Sequence, residues 1–177
     1  MKLRAFGNAR PVIGRRVFID PSAVVIGQVI LGDDVSLWPA AVARGDVNEI
    51  SVGARSNIQD GSVLHVTHDG PFSPGGIPLV VGQDVTVGHR VTLHACTVGD
   101  RCLIGMNACV MDGAELGSDI LLGAGSLVTP GQKLERGSLY QGSPARHVRR
   151  LEPDELEMLR YSAAHYVRLK DRYLGMA

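Results

Sequence analysis

Three histidines set the chemical question. His89 and His94 lie five residues apart in "TVGHRVTLHACTVGD", and His65 closes "DGSVLH" upstream. Imidazole is the commonest metal ligand and the usual acid–base group near neutral pH. On a helix, two imidazoles four apart can grip one ion. Five apart, among Val, Thr and Gly, they cannot do so on a single element. Three neutral imidazoles around one divalent ion would leave a position for water, whose pKa falls to about 7 there. Such a set suits Zn2+, and also Fe2+ or Co2+. Whether it exists depends on the elements that carry the three rings.

Those elements are announced by a repeat. Val98, Ile104, Val110, Leu116, Leu122, Val128, Leu134 and Tyr140 recur every six residues. Ile19, Val25, Leu31, Leu37 and Ala43 keep the same step, as do Val52, Ile58 and Leu64, and then Val81, Val87 and Leu93. A helix cannot hold a period of six, but two-residue strands separated by turns can. The pattern predicts a mainly β fold, a parallel β-helix over residues 1–150 in which three hexapeptides close one triangular coil. One apolar residue per face points inward, and small residues sit at the corners. Two steps depart strongly from the period, Ala43 to Val52 and Leu64 to Val81. The second contains "THDGPFSPGGIP" and predicts a projecting loop at about 66–79. The segment 151–177 changes character: Pro153 and the acidic Asp154 and Glu155 open an amphipathic helix of about 153–173 that packs on a prism, its own or a neighbour's.

The repeat places the histidines. His65 follows the inward Leu64 and His94 the inward Leu93, 29 residues later. Without the 11-residue insert they are one 18-residue coil apart, so they stack outward on one face at about 4.8 Å. His89 follows Val87 by two, near the preceding corner. It cannot easily join the other two in its own chain, but it can meet their counterparts in a neighbour if prisms pack around a threefold axis. Gln59 follows the inward Ile58 and therefore points outward. Arg44 and Asp46, two apart, project to one side of a strand as a charge-assisted pair. Asp60 lies just beyond Gln59.

Bulk composition narrows the partners. Lys plus Arg equals Asp plus Glu at 18 each, which gives no reason to expect nucleic acid or an anionic membrane as partner. No membrane-spanning run and no signal peptide are read, and three cysteines, Cys96, Cys102 and Cys109, are expected as reduced core residues in a cytoplasmic protein.

The segments "RGDVNEISVGARSNIQDGSVLHVTHD", "VGHRVTLHACTVGDRCLIGMNACVMDGA" and "YQGSPAR" resemble the γ-class carbonic anhydrase family, and "YSAAHYVRLKDRYL" is similar to its short bacterial, YrdA-like branch. The resemblance implies a left-handed β-helix and a homotrimer that hydrates CO2 to bicarbonate. It implies metal at subunit interfaces, held by His65 and His94 of one chain and His89 of the next. It further assigns Arg44 and Asp46 to the interface, Gln59 and Asp60 to the active site, and Tyr140 to a pocket tyrosine of the branch. The archaeal prototype carries a Glu after the R-x-D segment and a proton-shuttle Glu in its loop. Here Val47 follows Asp46, and the loop offers only His68 and Asp69, which implies slow turnover. Two other readings stay open: a hexapeptide-repeat acyl-CoA transferase or thioesterase, and a metal-binding trimer without catalysis.

Overall fold

The structure, a computed structural model, describes residues 2–176. The six-residue period becomes a left-handed parallel β-helix. Strands of mostly two or three residues return, coil after coil, into parallel register, with Ile104 beside Leu122 and Leu122 beside Tyr140. One face is an eight-stranded sheet. The other two merge into a twelve-stranded sheet because two long strands, Val24–Leu31 and Val42–Val52, run across a corner. The long step from Ala43 to Val52 is therefore no loop. Its additional residues are absorbed in an unbroken strand whose pairing shifts register between Gly27 and Val29. The second irregularity is a loop, and the strand after it begins at Leu79.

The core is the inward column itself. Val25, Leu64, Val87, Leu93, Ile104, Val110, Leu122 and Val128 are fully buried. Glycine after an inward residue serves the close approach of coils. A Cβ on Gly99 would stand 2.6 Å from Ser118 N, and one on Gly53 would stand 2.5 Å from the Gly82 carbonyl carbon. The left-handed backbone at one corner is mostly not glycine. Asp34, Arg55, Asp84, Arg101 and Asp119 hold φ between 55° and 61°. Each costs about 1 kcal/mol in that conformation. The cost is offset along the corner by ion pairs between successive coils: Arg16 with Asp34, Arg55 with Asp84 (2.7 Å) and Arg101 with Asp119 (2.7 Å).

The C-terminal helix, Pro153–Tyr173, lies on its own prism, against the eight-stranded face at Ser36–Leu37, Asn57–Ile58 and Thr86–Val87. Leu159 and Ala163 are buried there. The scarce aromatics gather at this seam: Trp38 meets Phe18, Tyr166 and Tyr173 with ring centroids 5.2, 5.5 and 5.3 Å away. Lys170 is fully buried, and its Nζ lies 2.9 Å from Asp34 Oδ1 and in contact with Asp171. The Arg16 hydrogen bond, supported by Lys170, overrides burial and holds the Asp34 carboxyl down at about 2. Among the described residues no helix is long and apolar enough to cross a membrane.

Asp34 contributes stability that is complete above its unfolded value of about 4 and is lost as pH falls through its folded value of about 2. Asp34→Asn, which keeps a residue tolerant of positive φ, is expected to cost about 2 kcal/mol at pH 7. It should also flatten the decline of stability between about pH 4 and 2. Denaturant unfolding followed by circular dichroism across that range checks both.

Candidate metal centre

The strands Val63–His65 and Thr92–His94 pair in parallel, with Leu64 opposite Leu93 and His65 opposite His94. Both leucines are fully buried, and alternation turns both imidazoles outward. His65 Nδ1 and His94 Nε2 face each other at 3.1 Å.

Each ring is anchored through its other nitrogen. His65 Nε2 lies 3.2 Å from Asp46 Oδ1, and His94 Nδ1 lies 2.7 Å from Asp112 Oδ1. Burial pushes the Asp46 carboxyl up, but hydrogen bonds from Arg44 and His65 together hold it below the ordinary carboxylate range. The same balance holds for Asp112, where burial is overcome by hydrogen bonds from Thr67 and His94. Both carboxyls are thus ionised acceptors near neutral pH, so the ring nitrogen facing each is the N–H. In the neutral rings the two nitrogens that face each other then both carry lone pairs. Burial, the main influence, lowers the His65 pKa below its ordinary value against the Asp46 hydrogen bond that raises it. A cation between the two nitrogens relieves their repulsion. Two ligands of a tetrahedral ion with bonds of about 2.0–2.1 Å stand roughly 3.3 Å apart, close to the separation seen. The donors therefore fit a divalent metal. The carboxylate behind each ring is the partner that orients metal-ligating imidazoles.

His89 stands elsewhere. It follows the strand Thr86–Val87 of the eight-stranded face, and its Nδ1 lies 3.0 Å from Asp60 Oδ2. Among the described residues no three such side chains gather within one chain. The chain carries a paired imidazole set on one face and a single imidazole on the corner that ends another. Each is backed by carboxylate. The face that bears the pair also carries an outward, mostly apolar column of Val24, Val42, Val63, Thr92, Cys109 and Leu127 in register.

Beside His89 a cavity of about 480 Å3 opens between the eight-stranded face and the helix. Its floor is an in-register column of Thr86, Leu103, Leu121 and Leu139. Gln59 lines one end, nearly buried, and donates through Nε2 to Asn57 Oδ1 at 3.1 Å. Asn57 donates in turn to Thr86 Oγ1 (3.1 Å), which meets Ser162 Oγ of the helix (3.1 Å). One amide N–H of Gln59 is thus engaged, and the side chain borders the cavity.

Arg44 and Asp46 pair at 2.6 Å, on the side of the strand from which Asp46 reaches His65. Tyr140 requires a correction. It points into the prism, 6% exposed, and its hydroxyl accepts from the Glu135 N–H at 3.0 Å. Its place in the inward column dictates this, and the tyrosine that lines the cavity is Tyr166 of the helix. Asp112, Thr67 and Asn57 were not anticipated. Asp112 lies 18 residues after His94, one nominal coil, which is a signal the spacing could have supplied. Cys96 and Cys102 are buried, whereas Cys109 is half-buried on the outward side of the histidine face.

Residues 96–130 match the family described as hexapeptide repeat of succinyl-transferase, and residues 10–45 match bacterial transferase hexapeptide (six repeats). The chain is 54% identical over 172 residues to protein YrdA of Escherichia coli, covering 97% of this chain and 94% of that one. It is 40% identical over 159 residues to the mitochondrial gamma carbonic anhydrase 2 of Arabidopsis thaliana, covering 90% of this chain and 57% of that relative. The crystal structure of a hexapeptide transferase family protein from Anaplasma phagocytophilum superposes with a TM-score of 0.89 at 37% identity, covering 97% of this chain and 98% of that one. A β-helix carrying this arrangement of histidines, with relatives matched along nearly its whole length, belongs to the γ-carbonic anhydrase-like family of hexapeptide-repeat proteins.

Proposed function

We propose that the protein is a homotrimeric metalloenzyme that hydrates CO2 to bicarbonate at its subunit interfaces. The observation that carries this reading is the pair of imidazole nitrogens that face each other 3.1 Å apart, each ring backed by an aspartate held below the ordinary carboxylate range. The partly apolar histidine face and the separate half-site at His89 favour assembly. A contact between unlike faces that repeats around a triangular prism closes after three copies.

A divalent ion held by His65 and His94 of one copy and His89 of the next, Zn2+ first and Fe2+ or Co2+ as alternatives, supplies Lewis acidity that ionises water near pH 7. The chain does the rest. Asp46, Asp112 and Asp60 fix ring tautomer and direction, and Arg44 keeps Asp46 ionised. Gln59 Oε1 accepts the proton on the attacking oxygen and aims its lone pair at carbon. The cavity, floored by leucines, admits CO2. Asp112 also borders a loop cavity of about 330 Å3 that His68 lines. His68, or buffer, carries away the proton that hydration releases. The loop's one carboxylate, Asp69, is engaged by the Gly75 N–H, so proton export limits turnover.

A second reading, hydrolysis or transfer of an acyl thioester, draws on the size of the 480 Å3 cavity, which exceeds what CO2 needs. A transferase using histidine as general base works without metal, so about one metal ion per chain favours the first reading and none favours the second.

Metal-reconstituted protein is expected to hydrate CO2 in stopped-flow assays, with His94→Ala lowering the rate by about 100-fold or more, as loss of a ligand should. Equal rates for the two proteins would reject the proposal. Asp112→Asn keeps the fold and the imidazole but removes the ionised acceptor. It should weaken metal binding by about 10–100-fold in chelator competition.

A further inference from the structure

Resting on the two-copy reading of the metal centre, we infer that Phe72 of one copy seats in the mouth of the apolar cavity of the next, beside His89, and makes the site a small-molecule site. Four observations lead there. Phe72 is fully exposed, at 101%, in a chain with only three phenylalanines. A bare phenyl ring held in water gains nothing unless something covers it.

The segment that carries it is braced. Thr67 and Ile77 form a bridge, as do Gly70 and Ser73, and Asp69 Oδ1 accepts from the Gly75 N–H at 2.7 Å. Thr67 is hydrogen-bonded to Asp112, the residue behind His94. Pro71 and Phe72 are therefore presented at the tip of a supported hairpin.

The loop leaves the prism directly after His65. Whatever brings His65 and His94 of one copy to His89 of another brings this loop to the same place. Five residues separate Thr67 from Phe72, a reach of at most about 17 Å.

At that place lies an acceptor for an aromatic ring. Leu103, Met106, Leu121 and Tyr166 line the cavity next to His89, and Met106 is half exposed at 51%. A phenylalanine covered on all sides buries about 150–250 Å2. With that ring in its mouth, the cavity keeps room near Gln59 for a triatomic substrate and loses the length an acyl chain needs.

Cross-linking between copies tests the contact. In a Cys109→Ser background, Phe72→Cys and Met106→Cys are combined and treated with a short bismaleimide. The remaining thiols, Cys96 and Cys102, are buried and pushed up to about 12, so they do not react. Covalent species of two and three chains on a denaturing gel are expected, and neither single cysteine should give them. Only single-chain adducts from protein that sediments as a trimer and carries metal would overturn the Phe72 contact while leaving the metal centre intact. A metal-free monomer would overturn both.

A double-mutant cycle supplies a second measurement. Phe72→Ala should raise the trimer dissociation constant roughly tenfold or more. Leu121→Ala added to it should cost much less than Leu121→Ala alone. Phe72→Ala should also raise kcat/KM for a p-nitrophenyl ester with a long acyl chain relative to p-nitrophenyl acetate several-fold. Strictly additive assembly effects together with an unchanged ester ratio would overturn the proposal.

Discussion

The parallel ladder between Val63–His65 and Thr92–His94 is the constraint from which the rest of the site descends. Its register is fixed by two buried leucines, Leu64 and Leu93, that stack inside the prism. A slip of one residue would turn both leucines to solvent and both imidazoles into the core, which no β-helix tolerates. The hydrophobic effect thus does electrostatic work: it holds two imidazole nitrogens 3.1 Å apart. Aspartates on either side keep the rings from rotating away. Asp46 is clamped by Arg44 and Asp112 by Thr67, so the unfavourable arrangement is braced from outside as well as from within.

How much of this could be read from the residues depends on whether the relevant contact obeys the coil arithmetic. The inward column did, because each coil contributes one apolar residue per face and nothing else can occupy the prism. The histidine pair did too, once the loop had been subtracted, and Gln59 followed from Ile58 by simple alternation. Asp112 was harder. The five-residue step from Leu93 to Val98 places Met111, not Asp112, opposite His94, so the aspartate reaches the ring from one position further along. Tyr140 obeyed the column and was nevertheless expected in a pocket by resemblance, and the column prevailed. Lys170 could not be read at all. A lysine on the buried side of an amphipathic helix looks like an error of phase until Asp34, on an early coil, is brought beneath it by the fold.

The three faces of the prism divide the labour. The eight-stranded face takes the helix, whose aromatic and Lys170 contacts bind the last part of the chain to the first coils. The polar chain Gln59–Asn57–Thr86–Ser162 runs through that seam. The orientation of Gln59 is therefore tied to the position of the helix, and a displacement of the helix would be felt at the site. The histidine face has no such cover within the chain. Its outward column is apolar at Val24, Val42, Val63 and Leu127, where a free β surface is ordinarily polar. One face is covered within the chain, and on the proposed reading the other is covered by a neighbour.

On the proposed reading, that division couples assembly to metal binding. A lone chain offers an ion two imidazoles, while its third ligand points to another face; a trimer without metal brings three lone pairs toward one point. Each half of the process removes what is unfavourable in the other. Binding free energy at the ion then appears as affinity between chains, and affinity between chains appears as tighter metal binding, by the same factor in both directions. The carboxylates sharpen this coupling, because each holds its ring in one orientation and so keeps the other nitrogen aimed at the ion. The rigidity of the β-helix carries the consequence to the chemistry. Since each coil is fixed by its neighbours, the imidazoles cannot relax apart when the ion is absent, and the geometry that an ion needs is present before it arrives.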